Sequence, residues 1–187
     1  MGNPFFFGYG SLVNRATHAY PNAAPAKATG WQRGWVDTLA HPYAYLTAIR
    51  SPGKSIEGLI AEVPGGDWAA LDEREDAYDR IADTENVTHQ HASAADIAIY
   101  AVPPTKTETQ DPMPILLSYL DVVIQGYIQE FGSAGAERFL ATTTGWQRPI
   151  LNDRTAPIYP RAQILSGAEK TFVDSALRVL GSEVIAP

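Results

Sequence analysis

Along the first hundred residues, short apolar runs alternate with glycine- and proline-bearing breaks, and this pattern predicts strands. Phe5, Phe6 and Phe7, bounded by Pro4 and Gly8, read as a buried strand that runs into the turn Gly8-Tyr9-Gly10-Ser11-Leu12. Leu12 to Ala19 reads as a short helix or an irregular segment. Lys27 to Leu39 holds Trp31, Trp35 and Val36 and reads as one bent strand or two, with Gly30 and Gly34 permitting kinks. Tyr43 to Ile49 and Ile56 to Val63 read as the arms of a hairpin around Ser51-Pro52-Gly53-Lys54, since proline presets φ and glycine accepts positive φ. Thr88 to His91 and Asp96 to Val102 complete a mainly β first half.

The period then changes. Pro103 to Pro114 contains four prolines and reads as an exposed connection. Beyond it Leu116, Tyr119, Leu120, Val123, Tyr127 and Ile128 recur at helical spacing, most simply as a core-facing stripe. Gly132 to Gly135 interrupts it, and Glu137 to Thr143 resumes it. Ser166-Gly167-Ala168-Glu169 matches a capping box for a last helix whose apolar face holds Phe172, Val173, Ala176, Leu177 and Leu180 and whose stop is Gly181. Thr-Gly-Trp-Gln-Arg occurs at 29–33 and at 144–148 with unrelated flanks, which suggests similar turns rather than a repeat architecture.

Composition narrows the chemistry. At 187 residues the chain suits one domain, with 5–102 as a β core and 115–187 as a mainly helical part packed on it. Cysteine is absent, which removes disulfides, thiolate metal sites and thiol nucleophiles. With 14 Lys+Arg against 21 Asp+Glu the net charge is −7, which makes nucleic acids and anionic membranes poor partners. No secretory signal or apolar span of ~18 residues is present, so a cytoplasmic location is the expectation.

Asp67 to Tyr78 reads as a helix capped by Asp67, with Trp68, Leu71, Glu75 and Tyr78 on one stripe and Glu73 and Asp76 pointing away. A carboxylate on an apolar stripe is costly unless paired, and desolvation would raise its pKa toward a range useful for proton transfer. The structural alternative is that Glu75 lies at the stripe's edge or pairs with Arg80 or Arg50. The glycines of Gly8 to Leu12 allow a sharp turn exposing successive N–H groups, an anion nest, although a tight turn alone would need the same residues. Neither a dinucleotide fingerprint nor a Walker loop is present, and no Gly-x-Ser-x-Gly elbow supports Ser11 as a nucleophile. His89 and His91 would share a strand face, without a third metal ligand nearby.

Taken together, Tyr9-Gly10-Ser11-Leu12 at a strand end and the later Leu71-Asp72-Glu73-Arg74-Glu75 resemble the paired motifs of the gamma-glutamylcyclotransferase superfamily, over about residues 5–102. The resemblance implies an α+β fold, a small mixed β-barrel flanked by helices with a helical C-terminal extension. It implies cyclisation of a γ-glutamyl amide to 5-oxoproline with release of an amine, without metal or cofactor. By that resemblance Glu75 is the general acid/base, and Gly8, Tyr9, Gly10, Ser11 and Leu12 hold the head group or the developing negative charge. Tyr100 contacts substrate, and Tyr78, Tyr159 and Arg161 are further candidates. The expected partner is a small γ-glutamyl compound, the chain acting as a monomer or homodimer. Asp76 departs from the glycine that follows the glutamate in many relatives. One alternative is an altered relative that releases a γ-glutamyl protecting group. Another is a non-catalytic small-molecule-binding or interaction module, disfavoured by an unpaired carboxylate in a cleft.

Overall fold

The computed structural model describes residues 2–38, 40–92, 94, 96–108 and 112–187. Its elements are strands β1 (Phe5–Gly8), β2 (Ala24–Thr38), β3 (Tyr45–Glu62), β4 (Asp79–Ala82), β5 (Val87–His89), β6 (Ile97–Ala101), β7 (Thr107–Glu108), β8 (Ile115–Leu116), β9 (Ile150–Leu151) and β10 (Val184–Ile185), and helices α1 (Ala69–Arg74), α2 (Leu117–Thr142) and α3 (Gly167–Leu180). The principal sheet runs β4-β6-β1-β3-β2-β5, with β7 joined to β2, and curls into a half-barrel. β1 is central, antiparallel to β3 and parallel to β6. Its three phenylalanines are at most 1% exposed, as a strand covered on both faces requires. A mixed α+β fold of this kind is what the resemblance implied.

The expected hairpin within 43–63 does not form. Residues 45–62 are one strand that pairs antiparallel with β2 over nearly its whole length. The turn residues are used as a bulge: Thr29 faces Ser55 and Trp31 faces Arg50, so Ser51 to Lys54 on β3 stand opposite Gly30 alone. Turn chemistry reports a local change of direction, and an irregular ladder satisfies it as well as a chain reversal does. β5 ends at His89, so His89 and His91 do not share a strand face. The His89 ring accepts from the His91 amide at 3.2 Å, and the His91 ring packs on Phe5.

The 103–114 segment is more than a connection, since Thr107–Glu108 adds to the end of β2; its residues 109–111, like Leu39 of the second predicted strand, lie outside the described residues. α2 is broken as expected, at Gly132, whose φ of 69° and ψ of 179° only glycine adopts readily. α3 has the full capping box at Ser166 and Glu169 and a left-handed Gly181 at its end. The second half is less purely helical than its periodicity suggests, because β8, β9 and β10 form a small parallel sheet of two-residue strands.

The main core is continuous across both halves, from Phe5, Trp31 and Ile60 in the sheet to Leu120, Tyr127, Phe139 and Leu177 in the helices. The two Thr-Gly-Trp-Gln-Arg copies meet there. The Thr144 amide donates to the Arg33 carbonyl, and the Trp35 amide donates to the Thr144 carbonyl, each at 3.0 Å. No helix among the described residues is long and apolar enough to cross a membrane.

Candidate active site

Gly8 ends β1 and the chain turns at once into a 3-10 turn, Ser11–Val13, beside the end of α1. Close approach fixes the residue types here: a Cβ on Gly10 would meet the Tyr119 hydroxyl at 2.7 Å. Tyr9 is structural. Its hydroxyl donates to the Tyr100 carbonyl at 2.6 Å and accepts from the Ala48 amide at 2.9 Å, tying the turn to β6 and β3. Burial drives its pKa far above the normal tyrosine range.

The helix that carries Glu75 is shorter than its stripe predicts. α1 stops at Arg74, and Glu75, with φ −106° and ψ 37°, is its C-cap. Asp67 accepts from the Ala69 amide at 3.1 Å, close to its expected capping role, while Trp68 is the cap position. Leaving helical geometry matters chemically. Adjacent side chains diverge on a helix, whereas here the Arg74 Nε lies 3.0 Å from the Glu75 Oε1.

Glu75 is therefore paired, and with Arg74 rather than Arg80 or Arg50. Arg80 holds Asp72 and stacks on Trp68; Arg50 holds Asp83 and stacks on Trp31. The argument against a binding module from an unpaired carboxylate accordingly falls. The Arg74 guanidinium also donates to the Thr17 carbonyl at 2.9 Å, the Ser11 Oγ at 3.2 Å and the Thr17 Oγ1 at 3.3 Å. It clamps the carboxylate to the glycine turn, and all three of its nitrogens are engaged. Even so, burial of the Glu75 side chain, 15% exposed, raises its pKa above the ordinary value of 4.5; the charges of Arg74 and Arg161 pull the other way.

Glu75 faces a cleft of two lobes. The inner lobe, about 30 Å³, is lined by Phe7, Gly8, Tyr9, Gly10, Ser11, Leu12, Tyr100 and Glu75, among others. The outer lobe, about 180 Å³, holds Glu75, Arg74, Asp76, Tyr78, Tyr119, Tyr159 and Arg161 with the rings of His41, Tyr43 and Tyr45. Ser11, Leu46, Glu75, Tyr78 and Tyr119 line both. The turn and the carboxylate are thus brought together, with Tyr100 at the inner end, where its hydroxyl donates to Asp72 at 2.5 Å.

Several lining residues were not legible. Tyr119 fitted the core stripe of α2 but lines both lobes, and Asp76 was expected to point away. Arg74 carried no signal, because its role depends on where α1 stops. His41, Tyr43 and Tyr45 stack in series, the first pair 5.0 Å apart and 3° from parallel. Tyr43 and Tyr45 alternate as a strand face should, and a face left uncovered by any predicted element was the available clue.

The profile of the family described as "Gamma-glutamyl cyclotransferase, AIG2-like" matches residues 6–118. No curated protein matches the sequence. Among solved structures, a protein titled gamma-glutamyl cyclotransferase superposes with a TM-score of 0.59 at 18% identity, over 92% of this chain and 99% of that one. The uncharacterized human protein loc79017 gives 0.59 at 17%, over 93% and 99%. YkqA from Bacillus subtilis gives 0.56 at 16%, over 78% and 57%. These likenesses are of fold, and the first two extend well beyond the profile match into the C-terminal part.

Proposed function

The chain belongs to the gamma-glutamyl cyclotransferase, AIG2-like family, and from that premise we propose that it cyclises a γ-glutamyl amide, amine or peptide to 5-oxoproline with release of the amine, Glu75 acting as general acid and base. The observation that carries this reading is a carboxylate with a raised pKa on the wall shared by a glycine-turn lobe and a larger aromatic lobe.

The nucleophile is the substrate's own α-amine, so the protein's task is to hold a folded conformer and move protons. The α-ammonium gives one proton to Glu75, and the freed amine attacks the γ-carbonyl carbon, closing a five-membered ring. Negative charge collects on the carbonyl oxygen, where N–H groups of the Gly8 to Leu12 turn stabilise it. The ring nitrogen sheds its second surplus proton while the bond to the leaving nitrogen breaks. That nitrogen gains both protons, one through Glu75, and departs as an ammonium. A carboxylate whose pKa burial raises holds a proton more readily than one in water, which suits a group that must both take a proton and return it.

Glu75→Gln should keep the fold and cut 5-oxoproline release from a panel of γ-glutamyl amines, dipeptides and thiol tripeptides by at least about 100-fold, the usual contribution of a general acid/base. Equal release by variant and parent would remove Glu75 from the mechanism. A parent that binds members of the panel without turnover would instead be a binding module.

A further inference from the structure

Resting on that reaction, we infer that Arg161, in the C-terminal arm beyond the family-matched region, anchors the α-carboxylate of the γ-glutamyl head, leaving the glycine turn to stabilise the oxyanion alone.

The argument begins with volume. The inner lobe, at about 30 Å³, is about a sixth the size of the outer lobe, at about 180 Å³. The smaller lobe suits the single carbonyl oxygen, and the larger one suits the carboxylate, α-carbon and ammonium together. The head group then lies mainly in the outer lobe, with Glu75 at the boundary. Among the described residues lining that lobe there are two arginines. Arg74 is committed at every nitrogen to Glu75, Ser11 and Thr17. The Arg161 guanidinium makes no hydrogen bond or ion pair among the described residues, although its charge reaches Glu75. A half-buried arginine without a carboxylate partner, lining the same lobe as a base, suits a zwitterion: ammonium to Glu75, carboxylate to Arg161 in a two-point contact. Asp76, which also lines the lobe, disfavours a carboxylate placed beside it and away from Arg161.

The arm is fixed in place. Tyr159 packs edge-on against Tyr119 with ring centres 5.0 Å apart, and the Ala162 amide closes a turn onto the Tyr159 carbonyl at 3.1 Å. Arg161 therefore approaches the site on a built support.

The test compares two lactams, 5-oxoproline and 2-pyrrolidinone, which differ only in the carboxylate, by calorimetry on the full chain and in the Glu75→Gln background, where no turnover is needed. The parent should bind 5-oxoproline about 10- to 100-fold more tightly, Arg161→Gln should erase the preference, and Arg161→Lys should restore part of it. In turnover, Arg161→Gln should lower the preference for γ-glutamyl over 4-aminobutyryl amides by a similar factor, chiefly through KM. A preference that survives Arg161→Gln, or no detectable 5-oxoproline binding at millimolar concentration, overturns the assignment. An Arg161-dependent preference in a protein that releases no 5-oxoproline would uphold this anchor while sinking the cyclisation.

Discussion

At the scale of a residue, Glu75 is largely withdrawn from water, and this has a thermodynamic signature. Its pKa is raised on folding, chiefly by burial. Between the ordinary value of 4.5 and the raised one, the folded chain binds more protons than the unfolded chain, so stability falls as pH rises through that window. Above the window the destabilisation is fully expressed; below 4.5 it is absent. Glutamine has the same shape and does not titrate, and Arg74 keeps Ser11 and Thr17. Glu75→Gln should therefore melt above the parent at pH 7.5, with the gap closing by pH 4. A gap that widens on acidification would show that pairing with Arg74 outweighs desolvation. The residue type and the stripe were readable in the sequence. The pairing was not, because it depends on the helix ending at Arg74, four residues before the expected Tyr78.

Elements were legible where one local rule decided them. The capping box and Gly181 bracket α3 because each satisfies orphaned helix-end groups from within a few residues. The hairpin misled because the partner of Ile56 to Glu62 is chosen by long-range pairing with β1 and β2, which turn residues do not encode. The two-residue strands β8 to β10 are too short for any period. The Arg161 arm was similarly hidden, as its anchor is tertiary. Asp153, 1% exposed, accepts from the Ser118 amide at 2.8 Å, the Ser118 hydroxyl at 2.5 Å and the Ile158 amide at 2.9 Å, joining the arm to the first turn of α2. Asp153→Ala strands two amides and should cost about 2–6 kcal/mol, at 1–3 kcal/mol per unsatisfied group. If the arm positions Arg161, KM should rise with it. Denaturation and steady-state kinetics on one preparation check both, and lost stability with unchanged KM would separate the anchor from the site.

Over the whole molecule, the family-matched segment and the chain after it share polar as well as apolar contacts. Arg33 of β2 is 1% exposed, yet its partners are the Tyr127 hydroxyl at 2.9 Å, Thr142 Oγ1 at 2.8 Å and Thr143 Oγ1 at 3.2 Å, all on or just past α2, together with the Glu57 carbonyl at 2.9 Å. The guanidinium also lies over the rings of Tyr127 and Phe139. A fragment ending at Pro114 would lose all but the β3 contact, leaving a buried cation unsatisfied beside Trp31 and Trp35, whose apolar cover comes partly from the same helix. We therefore propose a single cooperative domain. The fragment should show no folded near-ultraviolet signal, and Arg33→Ala in the full chain should cost about 3 kcal/mol or more. Tryptophan fluorescence of a Trp146→Phe variant, which leaves Trp31 and Trp35 of β2 and Trp68, and far-ultraviolet dichroism, reporting mainly on α2 and α3, should trace one coincident denaturant transition. Two separated transitions would mean that the β core holds its site without the helices, and the Arg161 arm would then be an addition to an independently stable enzyme core rather than part of its foundation.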